Sequence, residues 1–217
     1  MIEIEELLLK KLPEYYQWKQ RVTDLSLSCH WEDFSLSDEK ACEKCKQNGT
    51  ECKDKETAKF TVRNTVVFSI NLENYLMEYA RHYKLVQGCK CDFLHLDASN
   101  KYFVLNELTC SIEKYVNPFI NSKGTQDGKR EHARKQLHNI IHLLMQVAEI
   151  QAYIYSFTEK IGLFSWKIPS SKTNTAEKAM NIFMQPQQLV RNITILSEMN
   201  QGFKFVQQIY PQTFIFD

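Results

Sequence analysis

With 217 residues, 43% of them hydrophobic, the chain is long and apolar enough to bury one sizeable core, which excludes global disorder. Its 27 basic and 26 acidic residues give a formal net charge of +1, which excludes the overall basic field of a nonspecific nucleic-acid binder. Any nucleic-acid contact must therefore come from a local patch.

Residues 1 to about 22 read as helical. Leu7, Leu8, Tyr15 and Trp18 offer an uneven apolar face, and Pro13 is expected to interrupt it. The opening residues are acidic with only a short apolar run, unlike a signal peptide, and no stretch is apolar enough to span a membrane. The expectation is a cytoplasmic protein with no membrane partner. In that reducing setting the seven cysteines, an odd number, read as thiols or metal ligands rather than disulfides.

Residues 29–58 are rich in Cys, Lys, Glu and Asp and carry the turn signal Asn48-Gly49. Cys42-Glu43-Lys44-Cys45 is a C-x₂-C pair, with Cys29 before it and Cys52 after it. Four thiolates can close a tetrahedral structural Zn²⁺ site that orders an otherwise polar segment, and His30 can replace one of them. Free thiols are the alternative.

The next run, Phe60 to Ile70, is rich in β-branched and aromatic residues and reads as a strand. Asn71 can cap a helix through Tyr75, Leu76, Tyr79 and Tyr83, which Gly88 ends. Two strands follow, at about 91–97 and 102–109, and then a polar segment with Pro118, Gly124 and Gly128. The stripe Ala133, Leu137, Ile140, Ile141, Leu144 and Ala148 predicts a helix from about Lys129 to Ala152. Residues 152–157 and 164–168 have strand character. A loop is expected at 169–175, a weak helix at 176–184, and a last strand or two between Phe203 and Phe216, split by Pro211. The fold class is α+β, a mixed central sheet flanked by helices. The division expected is a helical segment 1–28, a cysteine-rich insertion 29–58 and an α/β core 59–217.

Chemistry concentrates in the two central strands. Side chains alternate along a strand, so Phe103, Leu105, Glu107 and Thr109 share one face. A carboxylate on a core-facing side needs a partner, because an unpaired buried charge is costly. Asp92, at the start of the neighbouring strand, can join Glu107 in holding Mg²⁺, and Glu73 or Glu78 from the preceding helix can supply a third oxygen. Lys129, Arg130, Arg134 and Lys135 gather at a helix start, a place suited to phosphate. Tyr115 and Phe119 can stack on bases or pack in the core. His138 and His142 are four residues apart but lack the Glu and the third ligand of a zincin, and read as surface histidines.

This order of helix, strand, strand and helix, with Asp92 on one strand and Glu107 on the next, resembles the PD-(D/E)xK nuclease-like superfamily over about residues 70–145. The resemblance implies that Asp92 and Glu107 bind metal and position an attacking water, and that Gln136 is the glutamine which some branches carry on the helix behind. Thr109 occupies the position of the motif lysine. In some members that lysine migrates, and Lys129, Lys135 and Lys114 are candidates here. The expected function is a metal-dependent nuclease or nuclease-like nucleic-acid-processing protein, and by association of fold a role in bacterial defence suits it. The alternative is an inactive nuclease-like scaffold that binds a protein partner and is stapled by structural zinc.

Overall fold

The structure, a computed structural model, describes residues 3–38, 56–89, 91–111, 115–122, 124–167 and 194–217. Lys114, Cys42, Cys45, Cys52, the loop expected at 169–175 and the weak helix at 176–184 lie outside the described residues.

The chain opens with a helical stretch, α1, made of α-helical Glu3–Glu6, π-helical Leu7–Lys11 and α-helical Leu12–Tyr15. Pro13 widens this stretch instead of ending it. Leu12 donates its N–H to the Leu7 carbonyl, five residues back. That leaves the Leu8 carbonyl without its usual donor, and the next residue but four, Pro13, has none to give. The Tyr75 hydroxyl donates to it instead. Helix stops at Tyr15, short of the expected residue 22. Trp18 then packs into a stack with Tyr16, Tyr79 and Tyr83.

Strands β1 (Leu27–His30) and β2 (Phe34–Ser37) follow. The segment expected as one strand at 60–70 is two: β3 (Glu56–Val62) and β4 (Val67–Asn71). Between them Asn64 takes a left-handed φ of 53°, which Asn tolerates better than most residues. Asn71 then caps α2 (Leu72–Ala80), its side chain accepting the Asn74 N–H at 3.0 Å. The short α3 (Lys84–Gln87) ends at Gly88. Next come the two expected central strands, β5 (Phe93–Asp97) and β6 (Tyr102–Cys110), paired antiparallel with Phe93 opposite Asn106. A hairpin of β7 (Phe119–Asn121) and β8 (Gly124–Gln126) leads into α4 (Lys129–Met145).

The long helix breaks at Val147, and α5 (Ala148–Tyr155) takes over. Residues 152–155, expected as strand, are helical. Ile150, Ile154 and Phe157 are all buried and sit four and three residues apart, a helical stripe that outweighs the β-propensity of the intervening Tyr residues. Strand β9 spans Glu159–Lys167, β10 Thr194–Glu198, β11 Lys204–Ile209 and β12 Thr213–Phe216.

The expected α+β class with a mixed central sheet is what the chain adopts. Seven strands run in the order β1-β4-β5-β6-β9-β11-β10, with β9 parallel to both β6 and β11. One face of this sheet carries Leu94, Phe103, Leu105, Phe164 and Phe205 and packs against α1, α2, α4 and α5. The other face carries Val104, Leu108, Leu163 and Val206. A three-stranded sheet, β12-β3-β2, covers it with Phe60, Phe214 and Phe216. The segment 29–58 is therefore woven in at both ends, since β1 edges the large sheet and β2 pairs with β3. A polar seam joins the layers. Ser165 Oγ lies 2.9 Å from Asn106 Oδ1 and 3.0 Å from Gln208 Oε1, and Gln208 Nε2 donates to the Lys59 carbonyl at 2.6 Å.

Candidate active site

Alternation along β6 sends Phe103, Leu105, Glu107 and Thr109 to the helix face, as the sequence implies. Parallel pairing sets Glu107 beside Phe164 of β9 and Thr109 beside Trp166. Helix α4 crosses over these strand ends and presents Lys129, His132, Ala133 and Gln136, spaced at three and four residues, so all four share one helical face. Together with Glu107, Thr109 and Phe164 they line a cavity of about 290 Å³. Glu107 and Gln136, both expected at a site, thus meet in one space, and Lys129, one candidate for a displaced lysine, meets them there.

Asp92 is placed differently. Its Oδ2 accepts the Leu108 N–H at 2.6 Å, so the carboxylate continues the β5–β6 ladder beyond the end of β5. Its carbonyl accepts the N–H groups of Leu72 and Glu73 at the start of α2. It opens on a second cavity of about 480 Å³, shared with Asp38, Asn71, Glu73 and Asn74. Both acids nonetheless act on one neighbour. The Cys91 thiol is held well above its ordinary value, first by complete burial and then by the charges of Glu107 and Asp92. The two carboxylates flank this thiol while facing different cavities.

Glu78 lines none of these spaces. It pairs with Arg81 at 2.9 Å along α2, whereas Glu73, the other acid considered there, shares the second cavity with Asp92.

The basic cluster divides. Arg134 forms a two-pronged pair with Glu131, at 2.8 and 3.0 Å, and Lys135 pairs with Asp127. These cations hold the carboxyls of Glu131 and Asp127 below their usual range. Arg130 is half-buried, with Nε shielded from solvent. Among the described residues no ion pair involves Lys129, the cation that faces the cavity. His138 and His142 are exposed, as expected of surface histidines.

Of the four cysteines expected to bind zinc, Cys29 is the described one, an exposed thiol on the edge strand β1. Among the described residues no three His, Cys, Asp or Glu side chains cluster as a metal site. Mg²⁺ needs fewer protein ligands, since it keeps several waters and binds through one or two carboxylates plus substrate phosphate. Glu107, with oxygens of Gln136 and Thr109 in the same cavity, fits that demand.

Sequence reasoning gave no role to His132, although its place three residues after Lys129 and four before Gln136 puts it on the same helical face. It also passed over His95, which is fully buried on the opposite face of the sheet. His95 Nδ1 lies 2.8 Å from Ser69 Oγ, and rings of Phe34, Phe60, Phe93 and Phe216 surround it. Its Nε2 is buried without a hydrogen-bond partner, as is Nε2 of His30, whose ring stacks on Phe34 at 3.8 Å. Burial, and next the nearby His30, push the His95 pKa down to about 3.

No helix among the described residues is long and apolar enough to cross a membrane. No known protein family, curated protein or solved structure matches the chain.

Proposed function

We propose that the chain hydrolyses phosphodiester bonds in nucleic acid, on a scaffold like that of PD-(D/E)xK nucleases and with a divalent cation at Glu107. The observation that carries this reading is the meeting of Glu107, Gln136 and Lys129 in one cavity. A bound Mg²⁺ would supply positive charge to the phosphate oxygens and acidify a coordinated water. Glu107 would hold the cation. Lys129 would take over from the absent strand lysine, its ammonium offsetting charge that builds on phosphorus in the transition state. Gln136 would orient the attacking water through its amide. Asp92 would act from behind, fixing the end of β6 through the Leu108 N–H.

Cleavage of DNA and RNA oligonucleotides with Mg²⁺ or Mn²⁺ tests this. Glu107→Gln should abolish activity. Lys129→Ala should lower kcat by about a hundredfold or more, the usual loss when a transition-state donor is removed. Thr109→Lys added to Lys129→Ala should restore part of it, because residue 109 faces the same cavity. Activity that survives Glu107→Gln would refute the assignment.

A second reading is favoured by one observation. The Asp92 carboxylate is engaged by the Leu108 N–H and opens on a different cavity from Glu107. On this view the scaffold is inactive and binds a protein partner. A wild-type chain that cleaves no nucleic acid with either cation, yet co-purifies with one stable partner, would decide for it.

A further inference from the structure

We propose that His132 is the general acid, giving a proton to the leaving oxygen as a phosphodiester bond breaks at the Glu107 cavity. The assignment rests on the phosphodiesterase reading above. His132 lines the cavity on the same helical face as Lys129 and Gln136, and its ring is exposed to solvent that can resupply a proton. The charged groups around it are Glu107 and Lys129 across the cavity and Asp127 just before the helix.

An alkoxide leaves phosphorus poorly unless it is protonated as it departs. Among the side chains that line the cavity, Thr109 and Gln136 do not titrate near neutrality, and Ala133 and Phe164 carry no proton to give. A lysine holds its proton too tightly to shuttle it, and Glu107 is committed as the anion. Imidazole is the side-chain type that releases and regains a proton near neutral pH. In the step, the water oxygen forms the new bond to phosphorus and the bond to the leaving oxygen breaks. The His132 proton moves to the leaving oxygen. The attacking water loses its proton to solvent, and His132 takes one back from solvent, so the enzyme is restored with no change in oxidation state.

The test compares an oligonucleotide that the wild-type chain cleaves with the same oligonucleotide carrying sulfur at the leaving position, since a thiolate departs without a proton. His132→Ala should lower kcat on the oxygen ester by about a hundredfold or more, the range of general acid catalysis. It should leave the sulfur ester nearly untouched, and it should remove one limb of the pH profile. Circular dichroism of the variant should match the wild type, because the side chain is exposed. Equal losses on both esters, or no loss on either, overturn the proposal while leaving Glu107-dependent cleavage standing. A wild-type chain that cleaves no oligonucleotide overturns both readings.

Discussion

At the scale of single residues, His95 makes a sharp physical demand. It is sealed among four phenylalanine rings with Nε2 unmatched, and its pKa is pushed down to about 3. An unfolded chain takes up that proton below about pH 6.5, the ordinary value for imidazole, whereas the folded chain takes it up only near 3. Between those two values the unfolded state binds more protons, so stability falls as pH falls. The full effect is at most about 5 kcal/mol, at about 1.4 kcal/mol for each pKa unit. His30, shifted the same way by burial, steepens the fall. Urea midpoints at about pH 7 and about pH 5, where carboxylates remain ionised, should drop for the wild type. They should drop less for His95→Phe. His95 was hidden in the sequence because Phe93-Leu94-His95-Leu96 reads as an ordinary apolar strand. What isolates the ring is Phe34, Phe60 and Phe216, which come from three distant strands. Glu107 was legible for the opposite reason, since its surroundings follow from alternation along its own strand.

At the scale of elements, the start of α4 decides where Lys129 and His132 point, and Gly128 decides where α4 starts. Its φ of −76° is open to any residue, so the need for glycine there is one of space. A Cβ on Gly128 would lie 2.2 Å from the Val116 carbonyl oxygen and 2.4 Å from that of Asn117. Both are backbone atoms that cannot swing aside, and Arg130 donates its N–H to the same Val116 carbonyl at 3.1 Å. Gly128→Ala should therefore cost about 1–3 kcal/mol, the usual penalty for overpacking, measured as a lower urea midpoint. It should also reduce any cleavage by displacing the first turn of the helix.

The helix itself was plain from its apolar stripe, and so was the cap at Asn71. The missed elements have a common cause. Pro13 and the break at Val147 depend on what lies across the interior: a tyrosine hydroxyl for the first, and a run of buried residues around Met145 for the second. The division of the 60–70 segment into two sheets likewise depends on β12, which a local pattern cannot foresee.

For the whole molecule, the large sheet is buried on both faces, so neither core is separable from the strands that carry the cavity. Strand β6 shows this directly. Its Glu107 and Thr109 face the helices, while Leu108 between them packs under the small sheet. Phe216 is fully buried in that second layer, against Phe214, Tyr102, Phe60 and His95. Phe216→Ala should cost about 3–5 kcal/mol and lower Tm. The fluorescence of Trp18 and Trp166, both on the helix face, should report the same transition as far-UV circular dichroism. Tryptophan fluorescence that melts at the wild-type temperature would show the layers to be independent.

The pairing of β12 with β3 sets Thr213 beside Lys59 in parallel register. That contact joins positions far apart along the chain, and closing so long a loop is entropically expensive and slow. The helix-side layer draws on more local pairings, such as the β5–β6 hairpin, and can assemble earlier. During synthesis and refolding, the chain therefore passes through a stage in which the Glu107 face is already shaped. Meanwhile Phe60, Val104 and Leu163 still wait for their cover, and that is when it is most exposed to self-association.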